Sequence, residues 1–263
     1  YTQDGRTFSR WTKNKYDVIT LEPMSPIQAG TVNLYSREFY QLAAERLNKD
    51  GLMMQWLPLH LVGPDDAKSI LKTFQEVYPH TSIWNSFLTR IVLLVGSKEE
   101  IALDKIRFEE LMRIPEIQNS AQQIGINTFL DFTDFFLTDA AEVRSFVQSA
   151  DLITDDRPLL EFSPVTLLPP LKLEVDETFL NYLKYRIGNY PQVRGMMPSE
   201  KRRWEKDFRT RTAQRLSIFS QRYHGPGESA FKKKNYSEGL GEVVTYLNKK
   251  KGQPIRLKGI QWE

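Results

Sequence analysis

Apolar and polar positions switch between two periods along the first hundred residues, and each switch marks a predicted element. Residues 16–21 (YDVITL) are a short β-branched run, continuous enough for a buried strand. Glu22-Pro23-Met24-Ser25-Pro26 ends it, because two prolines forbid continuation in either regular structure. Ser36 is a predicted N-cap for a helix over 36–48, since Phe39, Leu42, Ala43 and Leu47 share one face while Arg37, Glu38, Glu45 and Arg46 share the other. Asp50-Gly51 closes that helix. Residues 52–57 read as a second strand and 64–78 as a second helix with Ile70, Leu71, Phe74 and Val77 inward, followed by two closing strands over 80–84 and 90–95. Four strands and two crossovers in this order predict a mainly parallel sheet flanked by helices, which is the α/β class.

Beyond Gly96 the alternation stops. Short helices are predicted over 108–112, 129–136 and 140–147, then a proline-punctuated connector over 158–170 and a helical tail. Residues 231–247 read as one tetratricopeptide-like helix pair, and no second copy at a fixed spacing supports an array. The predicted organisation is an α/β domain over 1–163 and a helical basic tail over 164–263.

Charge sharpens the distinction. Residues 199–263 hold 16 Lys and Arg against 7 Asp and Glu, or +9, so a chain of net +3 carries −6 over residues 1–198. With no recognition motif in it, the basic end reads as a solvated helical surface and no nucleic-acid partner is expected. The absence of Cys excludes disulfides and thiolate metal sites and fits a reducing cytoplasm. No window reaches the roughly 18 apolar residues of a membrane span. The sequence starts at Tyr1 without an initiator Met or a leader, and so reads as a fragment of a longer chain whose upstream part has room for a membrane domain.

Candidate chemistry is sparse at the level of residues. His60 is a candidate general base, because an imidazole changes charge near neutral pH, but nothing else in the sequence builds a triad or metal cluster around it. Asp155, Asp156 and Glu161 surround Arg157, a pattern that favours salt bridges and loop capping over a metal, so no metal is expected. Gly225-Pro226-Gly227 and Gly239-Leu240-Gly241 are the G-x-G triplets, and neither follows a strand-like run. Asp4 suits the N-cap of a helix through Phe8 and Trp11.

Residues 16–60 (YDVITLEPMSPIQAGTVNLYSREFYQLAAERLNKDGLMMQWLPLH), with 154–162 (TDDRPLLEF) further on, carry a resemblance. They are similar to the spermidine synthase (polyamine aminopropyltransferase) family, and most to its bacterial members fused behind membrane helices. The resemblance implies a partial methyltransferase-like Rossmann sheet, the C-terminal half of the fold, with the first strands, the glycine-rich turn and the ribose-gripping acid missing. It implies transfer of an aminopropyl group from decarboxylated S-adenosylmethionine to a small amine, in polyamine biosynthesis, with the donor as co-substrate rather than a tightly bound cofactor.

In that family an Asp at the end of the fourth strand takes the proton of the attacking amine, and Glu22 stands at the matching position. A second Asp three residues on helps hold a diamine, and Ser25 stands there instead, which puts a diamine acceptor in doubt because a buried ammonium without a counter-ion is costly. Asp4 and Gly5 match the adenine-binding motif. Tyr35 matches a wall of the acceptor site, with core packing as the alternative, and Gln55 and Trp56 are expected to overlook the same pocket. Two other functions stay open: methyl transfer from intact S-adenosylmethionine, and an inert remnant or interaction module. A cytoplasmic enzyme with room for homo-oligomerisation is the expectation.

Overall fold

The computed structural model describes residues 4–22, 28, 30–86, 91–163, 186, 188–222 and single positions between 229 and 245, without the side chains of 216–222. The chain falls into two compact units, one made of 1–101 with 139–178 and the other of 102–138 with 179–263, where the sequence reading divides it at 163. Among the described residues no helix is long and apolar enough to cross a membrane.

The first unit is a sheet with helices. Its elements are α1 (Gly5–Trp11), β1 (Tyr16–Leu21), α2 (Arg37–Glu45), β2 (Leu47–Pro58), α3 (Pro64–Val77), β3 (His80–Asn85) and β4 (Ile91–Ser97). Within it the strands run in the order β1-β2-β4-β3. β1 is parallel to β2, whereas β4 is antiparallel to both β2 and β3. The mainly parallel sheet expected from sequence is thus corrected: three strands share a direction, but β4 inserts between two of them with the opposite one. Strand direction is invisible in an apolar run, because a short connection such as the one from Asn85 to Ile91 turns the chain back as a hairpin and only longer crossovers keep it parallel.

β1 has the predicted bounds but not the predicted burial. Its pattern is half-buried and exposed throughout, Val18 is 52% exposed, and β1 lies at the edge of the sheet. β2 starts five residues before the expected strand. Tyr16 pairs with Leu47 and Val18 with Leu52, so the register slips through a bulge that absorbs 48–51. Gly51 belongs to that bulge: a Cβ on it would lie 3.0 Å from the Asn48 carbonyl oxygen and 3.0 Å from Leu47 Cβ. It sits in a tight turn of the strand and does not end a helix.

The core lies where α2 and α3 cover the sheet. Met53, Leu57, Ile70, Leu71, Phe74, Ile83, Val92 and Leu94 are buried, and Tyr40, Phe74 and Tyr78 form an aromatic knot in which Tyr40 meets Phe74 edge-on at 5.3 Å. The Tyr78 hydroxyl donates to the Tyr40 carbonyl oxygen at 3.0 Å. Ser36 caps α2 as expected, its Oγ accepting from the Phe39 N–H at 3.3 Å. The helix Ala140–Phe146 packs on α3, and Gln75 Nε2 donates to the Ala140 carbonyl oxygen at 2.7 Å.

The second unit is mainly helical. It holds helices Lys105–Leu111, Pro115–Gln123, Phe129–Thr133 and Pro198–Arg222, a short strand Phe136–Thr138, and a two-residue parallel pairing of Leu103–Asp104 with Val193–Arg194. The long helix buries Trp204, Phe208 and Thr212, four residues apart on one face, and leaves Lys201, Arg202, Lys206 and Arg209 exposed. Arg186 is fully buried. Its guanidinium pairs with Asp134, donates to Thr212 Oγ1 at 2.9 Å and to the Phe136 carbonyl oxygen at 2.7 Å, and lies 4.4 Å from the Phe208 ring centre. The helical basic tail is therefore present from Pro198 to Arg222, while most of 231–247 lies outside the described residues. The helix Pro115–Gln123 was not expected from sequence; its apolar residues are too few to stand out.

Candidate active site

Open α/β sheets bind ligands beyond the carboxyl ends of their strands, so the end of β1 is the place to start. Leu21, its last residue, pairs with Gln55, and Glu22 follows directly with an exposed side chain. Residues 23–27 lie outside the described residues, Ser25 among them. The chain is next fixed at Gln28 and Gly30, then in a 3-10 turn over Thr31–Leu34 that hands on to Tyr35 and the Ser36 cap.

Two long-range anchors hold this return. Arg6 donates to the Asn33 carbonyl oxygen at 2.8 Å and to Asp155 Oδ1 at 2.9 Å, so one guanidinium joins α1, the end of the loop and the 154–162 segment. The Gly30 N–H donates to Glu161 Oε1 at 3.2 Å, and Gly30 sits at φ +82°, where a side chain would be strained. The Arg6 guanidinium holds the Asp155 carboxyl below the usual range. Glu161 directly and Asp155 through Arg6 thus hold residues 30–33, Arg157 pairs with Asp151 at 3.3 Å, and no group of acidic or His side chains suited to a metal occurs among the described residues.

Asp4 caps α1: its Oδ1 accepts from the Thr7 N–H at 2.7 Å, which lowers its pKa, and the carboxylate stays open to solvent. Gly5 opens the helix, and a Cβ there would meet nothing within 4 Å. Capping and ligand contact can coexist, because a carboxylate has lone pairs left after one hydrogen bond.

Tyr35 and Gln55 are both fully buried, as is Tyr40, which the sequence reading did not single out. Neither phenol oxygen nor either amide atom of Gln55 has a hydrogen-bond partner of normal geometry. Burial drives both phenols above their ordinary values, and the nearby Gln55 amide opposes this only partly. Gln55 and Trp56 do not overlook one pocket. Successive strand residues leave opposite faces: Gln55 lies with Met53 and Leu57 on the buried face, and Trp56 with Met54 on the half-buried one. His60 is half-buried, with Nδ1 unpartnered. The second unit has its own cavity of about 410 Å³, walled by Phe108, Phe129 and Trp204 and edged by Lys105, Glu200 and Asp207. It contains none of the residues singled out above.

Comparison with known proteins gives this arrangement a context. Residues 1–96 match the spermine/spermidine synthase domain. A polyamine aminopropyltransferase of Ruegeria sp. (strain TM1040) is 31% identical over 93 residues, which is 35% of this chain and 31% of that protein. Polyamine aminopropyltransferase 2 of Aquifex aeolicus (strain VF5) is 25% identical over 114 residues, 42% of this chain and 23% of that one. A probable spermidine synthase from Corynebacterium glutamicum ATCC 13032 superposes with a TM-score of 0.40 at 18% identity, covering 59% of this chain and 53% of its own. The chain spans less than a third of the length of these curated relatives. Glu22, Tyr35 and Gln55 all fall inside residues 1–96, the part of the chain that is similar to the spermine/spermidine synthase domain.

Proposed function

We propose that this chain carries the proton-accepting side of an aminopropyl transfer, from decarboxylated S-adenosylmethionine to an amine acceptor. The observation behind the reading is the position of Glu22, an exposed carboxylate at the carboxyl end of a parallel strand inside the family-matched region, followed by a loop return that Arg6, Asp155 and Glu161 hold from outside. In the reaction the amine nitrogen attacks the carbon beside the sulfonium, the C–S bond breaks towards sulfur, and methylthioadenosine leaves. An alkylamine of pKa near 10 must shed a proton to do this, and Glu22 is the base that takes it. Tyr35 and Gln55 line the acceptor side as neutral groups. Asp4 is the adenine contact.

The test follows methylthioadenosine release from decarboxylated S-adenosylmethionine over a panel of alkylamines, with the longest natural form of the protein. Glu22→Gln should lower turnover about a hundredfold or more with donor affinity nearly unchanged. Equal turnover in both proteins removes Glu22 from the mechanism, and release of S-adenosylhomocysteine from intact S-adenosylmethionine in a parallel assay replaces the reading altogether.

A further inference from the structure

The loop that leaves β1 carries a single charge. Residues 23–36 (PMSPIQAGTVNLYS) hold no Asp, Glu, Lys, Arg or His, and neither do residues 52–59 (LMMQWLPL) of the adjoining strand and its exit. Glu22 stands alone between them. Leu21 and Gln55 are register partners in the parallel pair of β1 and β2, so Glu22 leaves the sheet beside the strand that carries Gln55. Tyr35 follows the 3-10 turn that ends the loop, Tyr40 lies in the first turn of α2, and these two and Gln55 are all 0% exposed. The Gln55 amide is near enough to both phenols to oppose the rise that burial gives them, yet burial wins, and the phenols stay protonated at neutral pH. Their hydroxyls and the amide have no other partner among the described residues, and buried polar atoms in that condition call for one. Two phenols and a carboxamide thus make a wall that is polar and uncharged. Acids on the segments that anchor the loop are engaged: Asp155 pairs with Arg6, Glu38 accepts from the Asp155 N–H at 3.0 Å, and Glu161 accepts from the Gly30 N–H at 3.2 Å.

Resting on the aminopropyl-transfer reading, we propose that the acceptor is a monoamine, whose one ammonium meets Glu22 and whose uncharged far end meets Tyr35, Tyr40 and Gln55. Alkylamines are protonated at neutral pH, so a diamine brings a second ammonium to the far end. That ammonium would exchange water for neutral partners, and a buried charge without a counter-ion is costly. A methyl or hydroxyl end carries no such cost. The wall therefore selects by exclusion of charge, with Tyr40 as the member that no motif in the sequence marks.

Calorimetric titration tests this without requiring turnover. The longest natural form of the protein is titrated, with and without methylthioadenosine, with butylamine, aminobutanol and diaminobutane, one four-carbon chain ending in a methyl, a hydroxyl or a second ammonium. Both monoamines should bind at least about tenfold more tightly than the diamine. Gln55→Glu places a carboxylate between the phenols and should move that ratio about tenfold or more towards the diamine, whereas Gln55→Met, of similar length and without charge, should not. Where Gln55→Glu does not fold, the ratio in the unaltered protein decides. Equal or tighter binding of the diamine by the unaltered protein overturns the proposal, as does failure of all three amines to bind, or a folded Gln55→Glu protein whose ratio has not moved. A diamine preference that disappears in Glu161→Gln also overturns it and makes Glu161 the second counter-ion. Methylthioadenosine release is followed separately: tighter monoamine binding with no release refutes aminopropyl transfer and leaves the class of amine standing.

Discussion

A Cβ added to Gly96 would lie 2.5 Å from Phe74 Cε1 and 2.7 Å from Tyr78 Cβ, both in the aromatic knot under the sheet. Those rings are buried and cannot move far, so Gly96→Ala is expected to cost about 1–3 kcal/mol as an overpacking defect. Thermal unfolding should show the midpoint several degrees lower, with native secondary structure retained at room temperature; an unchanged midpoint would mean that the knot gives way. In the sequence Gly96 marks only the place where alternation ends, because a close approach between β4 and α3 has no local signature. Ser36 was legible for the opposite reason: a cap needs only its own hydroxyl and a backbone N–H three residues on. Gln55 and Trp56 leave opposite faces of β2 because the period of a strand sends neighbours to opposite sides.

At the scale of elements, the positions of β1, α3, β3 and β4 were legible within one or two residues, and the pairing was not. The bulge at 48–51 and the reversal of β4 both depend on which strand lies alongside, a contact between distant residues. The same holds for the 154–162 segment. Its carboxylates could be read as structural, but that they grip the return from Glu22 needed the fold. Asp155 offers a test of that grip. Its folded carboxyl is held below the ordinary value of 3.8, so the stability from its pairing with Arg6 is fully present above that value and is lost as pH falls through the lower, folded one. Asp155→Asn should therefore lower the thermal midpoint at pH 7 by the equivalent of about 1 kcal/mol or less, given the partial exposure of the pair. The difference from wild type should shrink as the pH is lowered past that range; a gap that stays constant down to pH 2 would show that the pairing contributes nothing.

For the molecule as a whole, the candidate base, the proposed adenine contact Asp4 and the loop anchors lie in one unit, yet no strand among the described residues hands on to a glycine-rich turn opening a helix. Such a turn is how Rossmann-type sheets bring backbone amides to a ligand. The 263-residue chain is therefore expected to bind decarboxylated S-adenosylmethionine more weakly than low micromolar by calorimetric titration. Tight binding would place a donor site on the residues described above, with Asp4→Ala the next variant to measure. The strand order has a separate consequence, in time rather than in space. β2 and β3 share no hydrogen bonds and are joined only through β4, the last of the three to leave the ribosome. While synthesis passes residue 85, two apolar strands wait without the partner that lies between them, and they can be joined only once residues 91–97 emerge. During that interval the unpaired edges of β2 and β3 are the kind of surface that makes a nascent chain prone to aggregate.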